Sequence, residues 1–352
     1  MQELDKKVIL PNKSVKTLIL VTMQKRFINS ALFTVVLATF FISCSKSDTT
    51  PVPDPVPTYK PDTLGTGWTK INVVSSGSDT ILGDIFFNSP TNGYVVGENI
   101  YKTSDGGNTW TKVKEASINN LFVTPNGSAY FVPYSINPLY KISDGGATFS
   151  TYSMSTVPST DIFFTDDNTG YCVGSNKISK TTDAGANWTV INTTGILSSN
   201  YSTIFCLDPN KIWVANGSGF FRSTTPGTWQ QSNITGAAIA TMPPSIYASS
   251  ANTVYIGNGP NLFKSTDGGA NYSLIRQFSE FVFTDVHFLD DQNGYVSTAR
   301  TIYKTTDGGA TWAKVVSLGQ GYFGEIHFTD TAHGWACGYD GQGHGIVLIF
   351  RN

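Results

Sequence analysis

The chain has 352 residues, is 40% hydrophobic and 13% aromatic, carries only 14% charged residues and holds 34 glycines. Low charge with abundant aromatics, Thr and Gly suits sheets and tight turns better than long helices. The formal charge of −2 falls to −6 once residues 1–43 are set aside, leaving 17 basic against 23 acidic residues; with no basic field, nucleic acid is disfavoured as a partner.

Residues 1–22 precede Met23, which opens a complete targeting signal by itself and so reads as the true start. From there the chain runs "MQKRFINSALFTVVLATFFISC": Lys25 and Arg26 form a positive head, Phe27–Ile42 is mostly apolar, and Ser43-Cys44 closes it. The apolar run is short for a membrane span, which needs about 20 residues. A small residue before Cys after such a run resembles a bacterial lipobox. The resemblance implies cleavage before Cys44, acylation of its sulfur, and a lipid-anchored protein of the cell envelope, in the outer membrane and facing the periplasm or the surface. A plain anchor or secretory signal is the alternative. Residues 44–64, beginning "CSKSDTTPVPDPVPTYKPD", are Pro-rich and polar and predict an extended tether. "SKSD" is similar to the surface-export signals of Bacteroidetes lipoproteins, with a single aspartate.

Beyond the tether the chain repeats. "YKTSDGGNTW" (101–110) returns as "YKISDGGATF" (140–149), "SKTTDAGANW" (179–188), "FRSTTPGTW" (221–229), "FKSTDGGANY" (263–272) and "YKTTDGGATW" (303–312). The aspartates Asp105, Asp144, Asp183, Asp267 and Asp307 are spaced by 39, 39, 84 and 40 residues, the double gap holding the copy in which Thr225 replaces Asp. A second module precedes the turn: "DIFFNSPTNGYVVG" (84–97), "DIFFTDDNTGYCVG" (161–174), "DVHFLDDQNGYVST" (285–298) and "EIHFTDTAHGWACG" (325–338). It reads as strand, Asn/Asp/Gly turn, strand. With the strands before and after the Asp turn, each period of about 40 residues makes a four-stranded propeller blade.

Six units end in the turn and a fourth strand. The last, from Glu325, stops after "GIVLIFRN" without them, while "GWTKI" (67–71) is a fourth strand with nothing before it. The fold class is therefore all-β: a seven-bladed propeller over residues 65–352, monomeric, with the N-terminal strand completing the last blade so that no edge is left open in the ring.

The turn, of the form Ser/Thr-x-Asp-x-Gly-x-Thr-Trp, resembles the Asp-box of sialidase, sortilin and photosystem II assembly factor-like propellers. Its carboxylate is suited to accept hydrogen bonds from its own turn, and Gly permits the positive φ required. Thr225-Pro226 keeps the turn while discarding the carboxylate, which favours a structural over a cation-binding or catalytic role. The closing aromatics Trp110, Phe149, Trp188, Trp229, Tyr272 and Trp312 are expected to plug the gaps between sheets, with Trp68 as their seventh counterpart. Trp213 and Trp335 share the column of Tyr94, Tyr171 and Tyr295 on the second strand and read as core.

Function must then lie on the face opposite these turns. One column near the start of each innermost strand is polar: Asp84, Asn120, Asp161, Thr203, Ser245, Asp285 and Glu325. These side chains are expected to ring the channel mouth. They either cap the strand starts or form an acidic funnel for a cation or a hydroxyl-rich ligand. Two positions later, His287 and His327 share a column with Phe86, Phe122, Phe163, Phe205 and Tyr247; core packing and an acid–base or ligand role are both open. Loop aromatics Tyr134, Tyr201, Phe278, Phe281, Tyr322, Phe323 and Tyr339, with Arg276, Arg300, Asp340 and His344, are candidates for a binding rim.

The blades "GYVVG…IYKTSDGGNTWTKV" resemble the photosystem II stability/assembly factor-like propellers across residues 65–352, which implies the fold and leaves activity open. That family's arginine-rich patch has no counterpart, so a photosynthetic role does not transfer. Sialidases need three arginines on a carboxylate, and beyond the signal the chain has only Arg222, Arg276, Arg300 and Arg351. Cys172, Cys206 and Cys337 sit in apolar strands and read as buried thiols, with a Cys172–Cys206 bridge as the lesser alternative. No metal-ligand spacing, nucleophile elbow or phosphate loop appears, and no cofactor is expected. The expectation is a non-catalytic module binding an envelope protein or glycan, with a glycoside hydrolase using the channel carboxylates as the alternative.

Overall fold

The computed structural model describes residues 61–74, 81–134, 138–143, 148–152, 160–194, 196, 200–225, 227–280 and 283–352. Residues 1–60, including the signal, Cys44 and most of the tether, lie outside the described residues, as do Asp144, Pro226 and Phe281.

Seven antiparallel sheets follow one another in chain order. Strands β1 (Thr63–Leu64) and β2 (Trp68–Val74) come first. Blade 1 is β3 (Leu82–Phe87), β4 (Gly93–Gly97), β5 (Asn99–Thr103) and β6 (Thr111–Glu115); blade 2 is β7 (Ile118–Val123), β8 (Ala129–Pro133), β9 (Leu139–Ser143) and β10 (Thr148–Tyr152). Blade 3 is β11 (Asp161–Phe164), β12 (Gly170–Gly174), β13 (Lys177–Thr181) and β14 (Thr189–Val190); blade 4 is β15 (Tyr201–Asp208), β16 (Lys211–Asn216), β17 (Gly219–Thr225) and β18 (Thr228–Gln231). After β19 (Asn233–Thr235), blade 5 is β20 (Ser245–Ala248), β21 (Val254–Asn258), β22 (Asn261–Ser265) and β23 (Asn271–Gln277). Blade 6 is β24 (Phe283–Phe288), β25 (Gly294–Thr298), β26 (Thr301–Thr305) and β27 (Ala313–Ser317); blade 7 is β28 (Gly321–Phe328), β29 (His333–Asp340) and β30 (Gly345–Arg351).

The ring closes as the sequence requires. Strand β2 lies antiparallel on β30, pairing Trp68 with Phe350 and Ile71 with Val347, so the N-terminal strand is the fourth of blade 7. Two additions were not foreseen. Strand β1 pairs with β27, Thr63 opposite Ser317, which makes a fifth strand on blade 6. Strand β19 lies parallel to β23 on blade 5. The chain is thus already paired to the propeller at Thr63, two residues before its expected start.

Packing is between blades. Seven apolar clusters among the described residues each join two successive blades. Strand β4 shows how period-2 geometry feeds two of them: Tyr94 and Val96 face blade 2, while Val95 faces blade 7. Both faces of a second strand are buried, so "GYVVG" reads as a continuous apolar run. The glycine opening that strand is required by packing. A Cβ on Gly93 would lie 2.5 Å from the Phe87 ring, and one on Gly170 would lie 2.6 Å from the Phe164 ring.

The four described Asp turns are each held by their own hydrogen bonds. Asp105 accepts from the Thr103 hydroxyl (2.8 Å), the Thr109 amide (2.9 Å) and the Thr109 hydroxyl (2.6 Å), and Asp183, Asp267 and Asp307 repeat the pattern. Hydrogen bonds from Thr109, Asn187 and Thr311 side chains and from the turn amides hold Asp105, Asp183 and Asp307 down at about 2; Asp267 reaches about 2 against a counteracting burial penalty. Positive φ is required at two consecutive positions, as at Gly106 (75°) and Gly107 (93°); in blade 3 the first of them is Ala184 at 57°.

The closing aromatics mostly fill the interblade clusters as expected, with Trp229 3% and Tyr272 2% exposed and Trp110, Trp188 and Trp312 packed at the cluster margins. Phe149 departs from the pattern. It is 38% exposed, with the Lys114 ammonium 4.9 Å from its ring centre, so blade 2 lacks that plug. Cys172, Cys206 and Cys337 are buried and none is in a disulfide, so the Cys172–Cys206 bridge does not form.

Candidate functional site

The innermost strands line the channel, and alternate residues on them stack into two levels about 6.6 Å apart. The upper level is the polar column. Asp84, Asp161 and Asp285 are buried, at 5%, 9% and 9% exposure. Each reaches sideways to the next blade. Asp84 accepts from the Leu121 amide (2.7 Å), Asp161 from the Ile204 amide (2.8 Å) and the Thr203 hydroxyl (3.0 Å), and Asp285 from the Ile326 amide (3.2 Å) and the Ser245 hydroxyl (2.7 Å). The Asn120 side chain bonds to Asp161, and Glu325 bonds to Asp285. Burial is the largest influence on all three aspartates and pushes their carboxyls up, Asp161 to about 6; neighbouring Asp161 and Asp285 raise Asp84 further. The column stitches the innermost strands together.

The lower level is a closed collar of rings. Phe86, Phe122, Phe163, Phe205, Tyr247, His287 and His327 follow one another with centroids 4.3–5.4 Å apart, and His327 returns to Phe86. Rings at these separations leave a narrow waist. His327 contacts the Phe87 carbonyl through Nε2 at 2.8 Å, and His287 bonds to the Phe328 backbone, so each histidine ties its blade to the next. Burial pushes both imidazoles down, His327 to about 4. Both are members of the aromatic ring.

Several expected rim residues are not at the rim. Tyr201, Phe278 and Phe323 are 2%, 4% and 0% exposed and belong to interblade clusters, because each lies where a loop passes into a strand and its side chain turns inward. Asp340, 2% exposed, closes its own hairpin by accepting from the amides of Gln342 and His344 and facing the His344 imidazole. On the loop face itself, Arg276 and Arg300 are exposed, and Tyr322 stacks on Tyr339 at 6.3 Å. The Phe323 amide donates to the Ala299 carbonyl and the Leu318 amide to that of Arg300, which brings Arg300 beside the Tyr322–Tyr339 pair. Tyr134, 43% exposed, stands apart on blade 2.

Sequence reading missed two sets of residues. Glu280 accepts from the Thr298 hydroxyl (2.6 Å), the Arg300 amide (3.0 Å) and the Thr301 hydroxyl, and so shapes the loop presenting Arg300. The second set is a column of cations on the third strands. Lys102, Lys141, Lys180, Lys264, Lys304 and Arg351 each lie over the aromatic of the neighbouring second strand, 4.8–6.0 Å from its centre. In three blades the cation and the aromatic donate together to a carbonyl of the next blade's Asp turn: Lys141 and Tyr130 to Ala184, Lys264 and Tyr255 to Gly308, Arg351 and Trp335 to Gly106. The recurring "YK" and "FK" pairs carried the signal.

No family model matches the chain, and no curated protein matches it. Solved structures do. The chain is similar to YCF48 bound to D1 peptide at 18% identity over 83% of this chain and 97% of that one, with a TM-score of 0.65. It is similar to YCF48 from Cyanidioschyzon merolae at 19% identity over 81% and 99%, with a TM-score of 0.62. Virginiamycin B lyase from Staphylococcus aureus matches at 13% identity over 81% and 99%, with a TM-score of 0.64. At these identities the likeness establishes the seven-bladed propeller, an architecture shared here by a protein solved with a peptide and by an enzyme.

Proposed function

We propose that this propeller is a non-catalytic binding module for a protein or glycan of the cell envelope, held at the membrane through Cys44. The observation that carries the reading is how the channel carboxylates are used. Asp84, Asp161 and Asp285 accept backbone amides of the next blade at 2.7–3.2 Å, and Asp285 shares a hydrogen bond with Glu325. Glycoside hydrolysis requires two carboxyls roughly 5–10 Å apart that both face the substrate. Carboxylates committed to the amides of neighbouring strands are poorly suited to that task. The candidate recognition groups are on the loop face near the junction of blades 6 and 7: Arg300, Tyr322 and Tyr339; Arg276 is on blade 5, over the Phe278 ring. Half-buried aromatics beside an exposed arginine are residue types enriched at interfaces. A similar propeller solved with a peptide supports the protein partner.

The test sets the full chain against a glycan array and a displayed peptide library, beside a release assay on fluorogenic glycosides. Binding without turnover, weakened by Arg300→Ala and Tyr339→Ala, is the expected result. Turnover that disappears in Asp285→Asn overturns the reading. The anchor is tested separately by mass spectrometry, which is expected to find acyl chains on Cys44 in the membrane fraction and release of the Cys44→Ala variant.

A further inference from the structure

A propeller exposes the outermost strand of each blade as an open edge, with a row of unpaired backbone groups that invites another strand. In this molecule the edges are guarded unequally. Strand β6 carries Lys112, Lys114 and Glu115, and Lys112 pairs with Glu115 at 2.9 Å. Strand β14 is only two residues long. Strand β18 is met by Thr194, which bridges to Thr228 and accepts from the Trp229 amide at 3.2 Å. Strand β23 is covered by β19 and β27 by β1. Strand β2 carries Lys70 and a register shift between Asn72 and Val74.

Blade 2 differs. Its outer strand β10 reads Thr-Phe-Ser-Thr-Tyr, with no charge, no proline and no register shift against β9. Among the described residues no strand covers it. Its residues are β-formers, and Phe149 is 38% exposed. We propose that the outer edge of blade 2 is a docking site for an extended, uncharged or acidic segment of another protein, which adds there as a fifth strand.

The chain itself shows the chemistry of the occupant. Two of its blades already accept a fifth strand, one antiparallel and one parallel, and both added segments, Thr63–Leu64 and Asn233–Thr235, are uncharged. The first is anchored by a carboxylate beside it: Asp62 accepts from the Gly319 amide (2.9 Å) and the Lys70 ammonium (2.7 Å). At β10 the matching cation is Lys114, exposed on the neighbouring blade and over Phe149 at 4.9 Å. A second copy of this chain would bring a second Lys114 to the same edge, so like charge disfavours self-pairing and favours a partner with a carboxylate next to its strand. This surface lies on the outside of the ring, away from the loop face.

The test uses the full chain and an acetylated Asp-Thr-Val-Thr-Val-Thr peptide amide, read by hydrogen exchange of backbone amides. Exchange at residues 149–152 is expected to slow at least tenfold at saturating peptide. The double variant Phe149→Lys/Thr151→Lys is expected to abolish this slowing, and Val113→Lys on the adjacent edge is expected to leave it unchanged. A melting curve matching the parent confirms that the double variant is folded. Absence of protection at millimolar peptide, or protection that survives the double variant, overturns the proposal. A concentration-dependent dimer in sedimentation that the double variant abolishes overturns it too, because the edge then belongs to a second copy.

Discussion

Replacing Asp161 by Asn isolates what the polar ring does energetically. Burial, its largest influence, pushes the Asp161 carboxyl from the usual 3.8 up to about 6, although the Ile204 amide, the Thr203 hydroxyl and the Ile162 amide pull it back. A carboxyl whose pKa is higher in the folded state binds its proton more tightly there, so folding is favoured at low pH. The contribution is fully present below about pH 3.8 and is lost as pH rises through about 6. That gap corresponds to about 3 kcal/mol. Asn cannot ionise, but it turns an amide NH₂ toward donors that Asp161 accepts from. With its oxygen at the position that accepts from Ile204 and Thr203, its NH₂ faces the Ile162 amide, so the variant is expected to be less stable than the parent by about 1–3 kcal/mol at pH 4. As pH rises to about 7.5 the parent loses about 3 kcal/mol that the variant does not, so the difference closes or reverses sign. Urea unfolding followed by tryptophan fluorescence, in half-unit pH steps, measures that difference directly. A difference that stays constant across the range refutes the reasoning, since it means water reaches the carboxylate and burial does not govern its charge.

Three further outcomes follow from the same geometry. His327 is pushed down to about 4 by burial, so its contribution is fully present above pH 6.5 and lost as pH falls toward 4, to a total of about 3 kcal/mol. His327→Phe should flatten that acid limb while costing about 1–3 kcal/mol at neutral pH for the unpaired Phe87 carbonyl, measured by the same titration. Removing residues 1–74 takes away β2 and opens blade 7, and should abolish the cooperative thermal transition. Removing 1–66 takes away the two-residue β1 and the Asp62 contacts to Gly319 and Lys70, and should leave a single transition lowered by a few degrees. Ala184 holds a φ of 57° that glycine fills in blades 1, 5 and 6, so Ala184→Gly should stabilise by about 0.5–1 kcal/mol in a calorimetric melt; a loss of stability would mean that its methyl packs usefully.

The channel shows where sequence reading stopped. The polar column and the aromatic column were both visible as registers, and so were the two histidines that depart from Phe and Tyr. Their chemistry was not, because a carboxylate at a strand start reads the same whether it faces solvent or the amide of the next blade. Asp161 and Ile204 are 43 residues apart, and only the packing of blade 3 against blade 4 brings them to 2.8 Å. Tyr201, Phe278 and Phe323 failed as rim residues for a related reason: loop membership was legible, but the inward turn of each side chain was not.

What the sequence determined by itself was the blade, its number and its closure. A period of about 40 residues, a turn that makes its own hydrogen bonds, and a lone fourth strand at the start are local facts, and local facts survive without coordinates. The tertiary structure alone decided which polar groups are consumed and which are offered. Asp84, Asp161 and Asp285, the imidazoles of His287 and His327, and Lys141 and Lys264 are bound to the adjoining blade, because a ring of wedged sheets places these side chains against backbone groups a full repeat away.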